Sequence, residues 1–130
     1  MNLLLDTHVI IWCAAVPERL ASATAKVIED PVSKLYYSPI SVWETVLLAE
    51  KGRIDIGPDP IKATRRLVTS LPIIEASLNT EVAIASRELR LPHQDPADRF
   101  IAATALVYDL ILVTADTRLL KTDTVRTMQA

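Results

Sequence analysis

With 130 residues, half of them hydrophobic and 23% charged, the chain is neither disordered nor fibrous and can bury the core of one domain. A formal net charge of −2 excludes a surface that is basic throughout, the usual footprint of a nucleic-acid binder, but not a local basic face beside an acidic pocket. The lone cysteine, Cys13, rules out a disulfide framework within the chain, and among Ile10, Ile11 and Trp12 it reads as a small buried hydrophobe.

Asn2-Leu3-Leu4-Leu5 is an apolar run that stops at Asp6 and predicts a buried strand. The apolar stretch 3–16 has no Lys or Arg before it and is interrupted by Asp6 and His8, so it reads as mature structure and not as a signal peptide. His8 to Ala15 predicts a helix. Pro17-Glu18-Arg19 opens a second helical stretch to about Asp30; proline suits a first turn, Glu18 complements the dipole there, and Pro31 stops it. Lys34 to Tyr37 predicts the second strand. Ser38-Pro39 starts a helix to about Lys51, ended by Gly52. Asp59-Pro60 starts another, to about Ser70, and Leu71 to Ile74 predicts a third strand. Leu78 to Arg90 is helical, and Asp95-Pro96 starts a helix to about Tyr108. Leu110 to Val113 is the plainest strand, followed by a short helix from Thr117 to Leu120 and an edge strand from Val125 to Met128.

Strands alternate with helices along the whole chain. An α/β domain over residues 1–130 is expected, with a mainly parallel sheet and, by right-handed crossovers, helices on both faces: a three-layer α/β/α sandwich. Gly52 and Gly57 are too few for a phosphate-cradling loop, and no dinucleotide-binding or Walker pattern occurs. The stretch from Phe100 to Ala115 contains Asp109 and falls short of a membrane span, so a soluble, cytoplasmic protein without membrane contact is expected.

In open α/β sheets, ligands sit beyond the carboxyl ends of the strands. Asp6 ends the first strand and Asp116 follows Val113 by three residues, so both can face one crevice; either can equally be a helix cap. Glu44 shares a helical face with Ile40, Leu47 and Leu48, where a carboxylate must be paired, protonated or metal-bound. Its alternative is a capping box, Ser41 to Glu44, but Ser38-Pro39 is the better helix start. Asp95 is well placed as an N-cap. Asp98 shares a face with Ile101, Ala102 and Ala105, small enough to let the helix approach a sheet; it either compensates the helix dipole or points into the crevice of Asp6. At an effective dielectric of about 20, two charges ~4 Å apart cost roughly 4 kcal/mol. Several such acids together need protonation or a divalent cation. Oxygen ligands select a hard ion, Mg²⁺ or Mn²⁺, and His8 and His93 offer no zinc spacing. A carboxylate-held Mg²⁺ suits phosphodiester hydrolysis.

Leu4-Leu5-Asp6-Thr7, Ser41-Val42-Trp43-Glu44, Asp95 through Ala105 and Val113-Thr114-Ala115-Asp116, in that order over nearly the whole chain, resemble the PIN domain, and within it the VapC-type toxins of bacterial toxin–antitoxin pairs. The Asp95-x-x-Asp98-Arg99-x-x-Ala102 stretch and the Thr114-x-Asp116 ending are its specific parts. The resemblance implies a Mg²⁺-dependent endoribonuclease whose catalytic and metal-holding acids are Asp6, Glu44, Asp98 and Asp116. Thr114 would orient Asp6, with Thr7, Asp95 and Arg99 in support. It also implies an RNA substrate, a cognate antitoxin lying across the groove, and a homodimer. Basic groups available to hold the RNA backbone are Arg99, the Lys51–Arg53 segment and Arg65–Arg66. Ile40, Trp43 and Leu47 with Leu67–Val68 offer an apolar contact surface.

Three other readings compete. A haloacid-dehalogenase-type phosphatase needs a second Asp two residues after the first, where this chain has His8. A receiver-like signalling module needs an acceptor Asp at a middle strand, where Tyr37-Ser38 stands. A catalytically silent acidic-pocket binder shares the same residues.

Overall fold

The computed structural model describes residues 1–92 and 94–130, and the expectation for His93 lies outside them. Five strands, β1 (Asn2–Leu5), β2 (Lys34–Tyr37), β3 (Ile73–Glu75), β4 (Ile111–Thr114) and β5 (Thr127–Gln129), form one sheet in the order β3-β2-β1-β4-β5. Every pairing is parallel, with Leu3 opposite both Leu35 and Ile111. The chain winds from β1 outward to β3, then crosses back to place β4 on the free side of β1. The carboxyl ends of β1 and β4 therefore flank the point where the winding direction reverses, the place where open sheets leave a crevice.

Strand alternation divides the core into two layers. Leu4 and Leu112 point to one face, where Val82, Leu89, Ile101, Ala102 and Leu119 close over them. Leu3, Leu5 and Val113 point to the other, against Val9, Ile10 and the partly buried Leu20, Ile28 and Leu67. Helices α5 (Thr80–Glu88), α6 (Pro96–Val107) and α7 (Thr117–Leu120) serve the first layer; α1 (Thr7–Ala15), α2 (Ser22–Glu29) and α4 (Pro60–Ser70) serve the second. Helix α3 (Pro39–Glu50) stands at the edge of both, with its buried residues Ser41 and Thr45 polar and not apolar. In α6 the residues from Ile101 to Ala105 are all buried, and the small side chains of Ala102, Ala103 and Ala105 permit a close approach to the sheet.

The sequence expectations hold for element type and order, with local differences. The helical stretch expected from Pro17 to Asp30 is broken: a 3-10 turn, Pro17–Arg19, ends at Leu20, whose extended backbone turns its side chain into the second apolar layer before α2 begins. The third strand starts at Ile73, two residues later than expected, because Pro72 has no amide to give the ladder. The fifth strand starts at Thr127, since Val125 turns into the core before the ladder begins. Helix α3 is closed as expected by Gly52, which has φ +72°. The Gly52 amide donates to the Ala49 carbonyl and the Arg53 amide to the Leu48 carbonyl, the paired bonds of a Schellman turn.

Of the apolar surface expected from sequence, Ile40 packs on the first layer and Leu67 on the second, so these two belong to the core; Trp43, 53% exposed, remains outside. Cys13 is half-buried beside the second layer, and burial pushes its thiol pKa up, with Glu29 adding to the rise.

Candidate active site

Asp6 follows β1 directly and caps α1. Its Oδ1 accepts from the Thr7 amide at 2.8 Å and its Oδ2 from the Thr114 hydroxyl at 2.6 Å. Thr114 ends β4, and its hydroxyl oxygen in turn accepts from the Asp116 amide at 3.0 Å, so one threonine links the two strand ends. Asp116 caps α7 through the Arg118 amide, at 2.8 Å. Asp95 caps α6 through the amides of Ala97 and Asp98, at 3.0 and 3.4 Å. The cap and pocket readings of these acids are thus compatible, because a carboxylate has lone pairs enough to serve an amide and face a pocket at once.

Asp98 lies in the first turn of α6 and is 8% exposed. Glu44 is the sixth residue of α3, whose cap is Ser38, and so lies past the first turn as the sequence implied. Thr7 donates its hydroxyl hydrogen to Ser41 Oγ at 2.9 Å, tying the start of α1 to α3. Asp6, Glu44, Asp95, Asp98 and Asp116 all line one open pocket of about 370 Å³, together with His8, Trp12, Leu48, Arg53 and Arg118. A second cavity of about 380 Å³, among Cys13, Leu20, Ile28 and Leu71, is walled chiefly by apolar side chains.

Crowded carboxylates resist ionisation, and the pocket shows it. Desolvation, then Asp95, Asp6, Asp116 and Glu44, push the Asp98 pKa up to about 7. Burial raises Asp6 against the lowering effect of its Thr114 and Thr7 bonds. Burial also raises Glu44, contact with the Thr7 hydroxyl partly offsets this, and Asp6 and Asp95 add to the rise. Asp116 moves the other way: its hydrogen bond with the Arg118 side chain holds its carboxyl below the usual range.

Arg118 is a pocket residue that the sequence reading missed. Its Nη2 lies 2.9 Å from Asp116 Oδ2 and 3.3 Å from Asp98 Oδ2, so one guanidinium bridges two of the acids. The available signal was its place two residues past Asp116, in the first turn of a short helix, where its side chain must project over the same strand end. Arg99, expected to face the RNA backbone, is corrected: it is buried, with Nε donating to the Ser86 carbonyl at 2.8 Å and Nη2 to the Leu89 carbonyl at 2.9 Å. It binds the C-terminal end of α5. Of the other basic groups, Arg53 lines the pocket, Lys51 is exposed just past α3, Arg65 is exposed on α4, and Arg66 lines a separate cleft between α1 and α4.

The donor set fits a hard divalent cation in kind: all its donors are oxygens, and a positive group already bridges two of them. Among the described residues, no three His, Cys, Asp or Glu side chains stand in a ready-made metal-holding group. The acids ring the pocket, with Arg118 between two of them.

A family model for the PIN domain matches residues 3–125. The chain is 34% identical over 121 residues to Ribonuclease VapC22 of Mycobacterium tuberculosis, covering 91% of this chain and 89% of that protein. Among solved structures, VapBC2 of Rickettsia felis bound to a promoter DNA fragment superposes with a TM-score of 0.72 at 13% identity, over 99% of this chain and 98% of that one. The DNA-bound VapBC of Salmonella typhimurium gives 0.67 at 18% identity, over the same shares. The chain belongs to the PIN domain family. Within it, the sequence relationship is to the VapC ribonucleases. Among the described residues, no helix is long and apolar enough to cross a membrane.

Proposed function

We propose that the chain is a divalent-metal-dependent endoribonuclease and the toxin half of a toxin–antitoxin pair, acting in the cytoplasm. The observation that carries the reading is the gathering of five carboxylates in one pocket at the switch point of the sheet, with a guanidinium already bridging two of them. Asp6, Asp98, Asp116 and Glu44 would hold the ion, Mg²⁺ or Mn²⁺. Once bound, such an ion lowers the pKa of water and offsets the charge that builds on the phosphate. Thr114 and the Thr7 amide fix both oxygens of Asp6, so its orientation is set before substrate arrives. Glu44, carried on a helix face and not as a cap, would take the proton of the attacking water as the new P–O bond forms, while the scissile P–O bond breaks and the leaving oxygen takes a proton from solvent. Arg118 and Arg53 supply positive charge for the phosphate backbone.

The toxin assignment rests on the relatives: the solved structures that share this fold include VapBC complexes. An antitoxin segment fits the cleft of about 240 Å³ between α1 and α4, walled by Ile11, Ala14, Ala15 and Leu67. That cleft shares α1 with the acidic pocket, so one segment can cross both. A homodimer through the exposed part of α3 around Trp43 completes the assembly.

The direct test is incubation of the purified protein with total cellular RNA. Cleavage should need Mg²⁺ or Mn²⁺, stop with chelator and weaken as salt rises. Asp116→Asn should lower it more than about 100-fold, beyond what outer-shell changes cost. Asp95→Asn keeps the cap and should lose less than about tenfold. Cleavage that persists in chelator, or that Asp116→Asn leaves intact, sinks the assignment.

A further inference from the structure

The pocket is longer than its ring of acids. Residues four apart share a helix face, and two such pairs wall it: His8 and Trp12 on α1, Glu44 and Leu48 on α3. In each pair the second residue stands one turn, about 5–6 Å, farther from the α1 N-terminus or from Glu44. The Schellman turn after α3 then brings Arg53 back to the same wall. The acids thus occupy one end of the pocket, and an aromatic ring, an aliphatic side chain and a guanidinium occupy the other.

Trp12 is costly to explain as packing. It is only half-buried, and among the described residues it belongs to neither apolar layer of the core. Its ring lines the pocket, and the guanidinium of Arg19 lies 4.9 Å from the ring centroid. Arg19 covers one face of the ring, and Arg53 lines the same pocket as Trp12, so the pocket combines what single-stranded nucleic acid needs: an aromatic ring on which any base can stack, and positive charge for the phosphates. An apolar peptide would find the ring but would not use the charge of Arg53.

We infer that Trp12, with Leu48 and Arg53, forms a nucleobase subsite that seats a base of single-stranded RNA next to the acidic end of the pocket. The inference rests on the nuclease reading and adds a binding determinant to it. Stacking makes Trp12 a specificity-determining residue that tolerates any base but requires one to be unpaired.

The test uses the full chain with Trp43→Phe, which leaves Trp12 as its sole tryptophan, and with Asp116→Asn to prevent cleavage, in millimolar Mg²⁺. Homopolymeric A or U RNA of about 12 nucleotides is titrated in. Tryptophan emission reports on the ring, and anisotropy of end-labelled RNA reports on binding. Saturable quenching of Trp12 is expected, with the same midpoint as the anisotropy change. Trp12→Leu should weaken binding roughly tenfold or more, and Trp12→Phe should keep most of the affinity. An oligonucleotide of the same length without bases should bind wild type and Trp12→Leu equally. RNA that binds without altering Trp12 emission overturns the subsite and leaves the nuclease reading intact, as does quenching by an antitoxin peptide alone. Absence of RNA binding in every variant overturns both. The quenching measurement needs no substitution at position 12, so a Trp12→Leu protein that fails to fold does not remove the test.

Discussion

Thr114, the last residue of β4, and Asp6, the first residue past β1, are joined by a side-chain hydrogen bond of 2.6 Å where the two strands pair Leu5 with Val113. Thr114 has one proton to give and gives it to Asp6 Oδ2, while its oxygen receives the Asp116 amide. The threonine therefore sets the relation between the two strand-end acids.

Thr114→Val keeps the volume and removes both bonds. It should cost about 1–3 kcal/mol in stability, because a buried carboxylate oxygen loses a charge-assisted partner. Metal affinity should fall about 10- to 100-fold, the usual effect of losing an orienting partner. Calorimetric titration with Mn²⁺, with Thr114→Ser as the variant that restores the bond, checks the second effect; equal affinity in Thr114→Val and wild type would remove the orienting role.

The raised carboxyls fix a pH dependence. Asp98 titrates at about 7 in the folded protein, against 3.8 for an ordinary aspartate, and Asp6 and Glu44 are displaced in the same direction. Between about pH 4 and 7 the folded chain therefore holds protons that the unfolded chain releases, and metal-free stability falls as pH rises through that window. Asp116, held low by Arg118, contributes oppositely, but its effect is lost only below the window. Pocket water screens the net loss to on the order of 1–2 kcal/mol. Thermal melts without metal should show a lower melting temperature at about pH 8 than at about pH 5. Asp98→Asn should remove most of the slope, and saturating Mg²⁺ should reverse it; a slope unchanged by Asp98→Asn would place its origin outside the pocket.

Arg118 competes for the acids that would hold the ion. Arg118→Ala should strengthen metal binding several-fold, because no cation then has to leave Asp98 and Asp116. It should also weaken RNA binding and flatten its salt dependence, since a backbone cation is gone. Calorimetry with metal and anisotropy with RNA separate the two effects. Weaker metal binding in Arg118→Ala would mean that the arginine organises the acids and does not compete for them.

Arg99 is a stability residue. Arg99→Met should cost about 2–4 kcal/mol, because the carbonyls of Ser86 and Leu89 lose charged donors inside the protein. Urea unfolding measures it. A loss below about 0.5 kcal/mol, the level of an ordinary surface change, would contradict the buried role.

The fold was legible in the sequence because the central strands β1 and β4 are short apolar runs closed by a cap or turn residue, and the longest helices open on a capping pair, Ser38-Pro39, Asp59-Pro60 or Asp95-Pro96. What stayed hidden depended on tertiary context. Leu20 breaks a helix that its neighbours would continue, because the second layer takes its side chain. Asp6 and Asp116 could be placed at one crevice because they stand at strand ends, whereas Glu44 and Asp98 were singled out by the apolar helix faces they share and by the resemblance to the PIN domain. The cations could not. Arg99 and Arg118 are both arginines near an acid, and only packing sends one into the C-terminal carbonyls of α5 and the other across the pocket mouth.

The parallel pairing of Leu3 with Ile111 has a consequence for synthesis. The central strand is made first, yet one of its two neighbours leaves the ribosome only after more than a hundred further residues. Until then Asp6 has no Thr114 to hold it, and Asp116 does not exist. A growing chain that has not yet made β4 therefore lacks both the partner that orients Asp6 and one of the pocket's own acids, and the pocket is assembled only when the chain returns to the centre of the sheet.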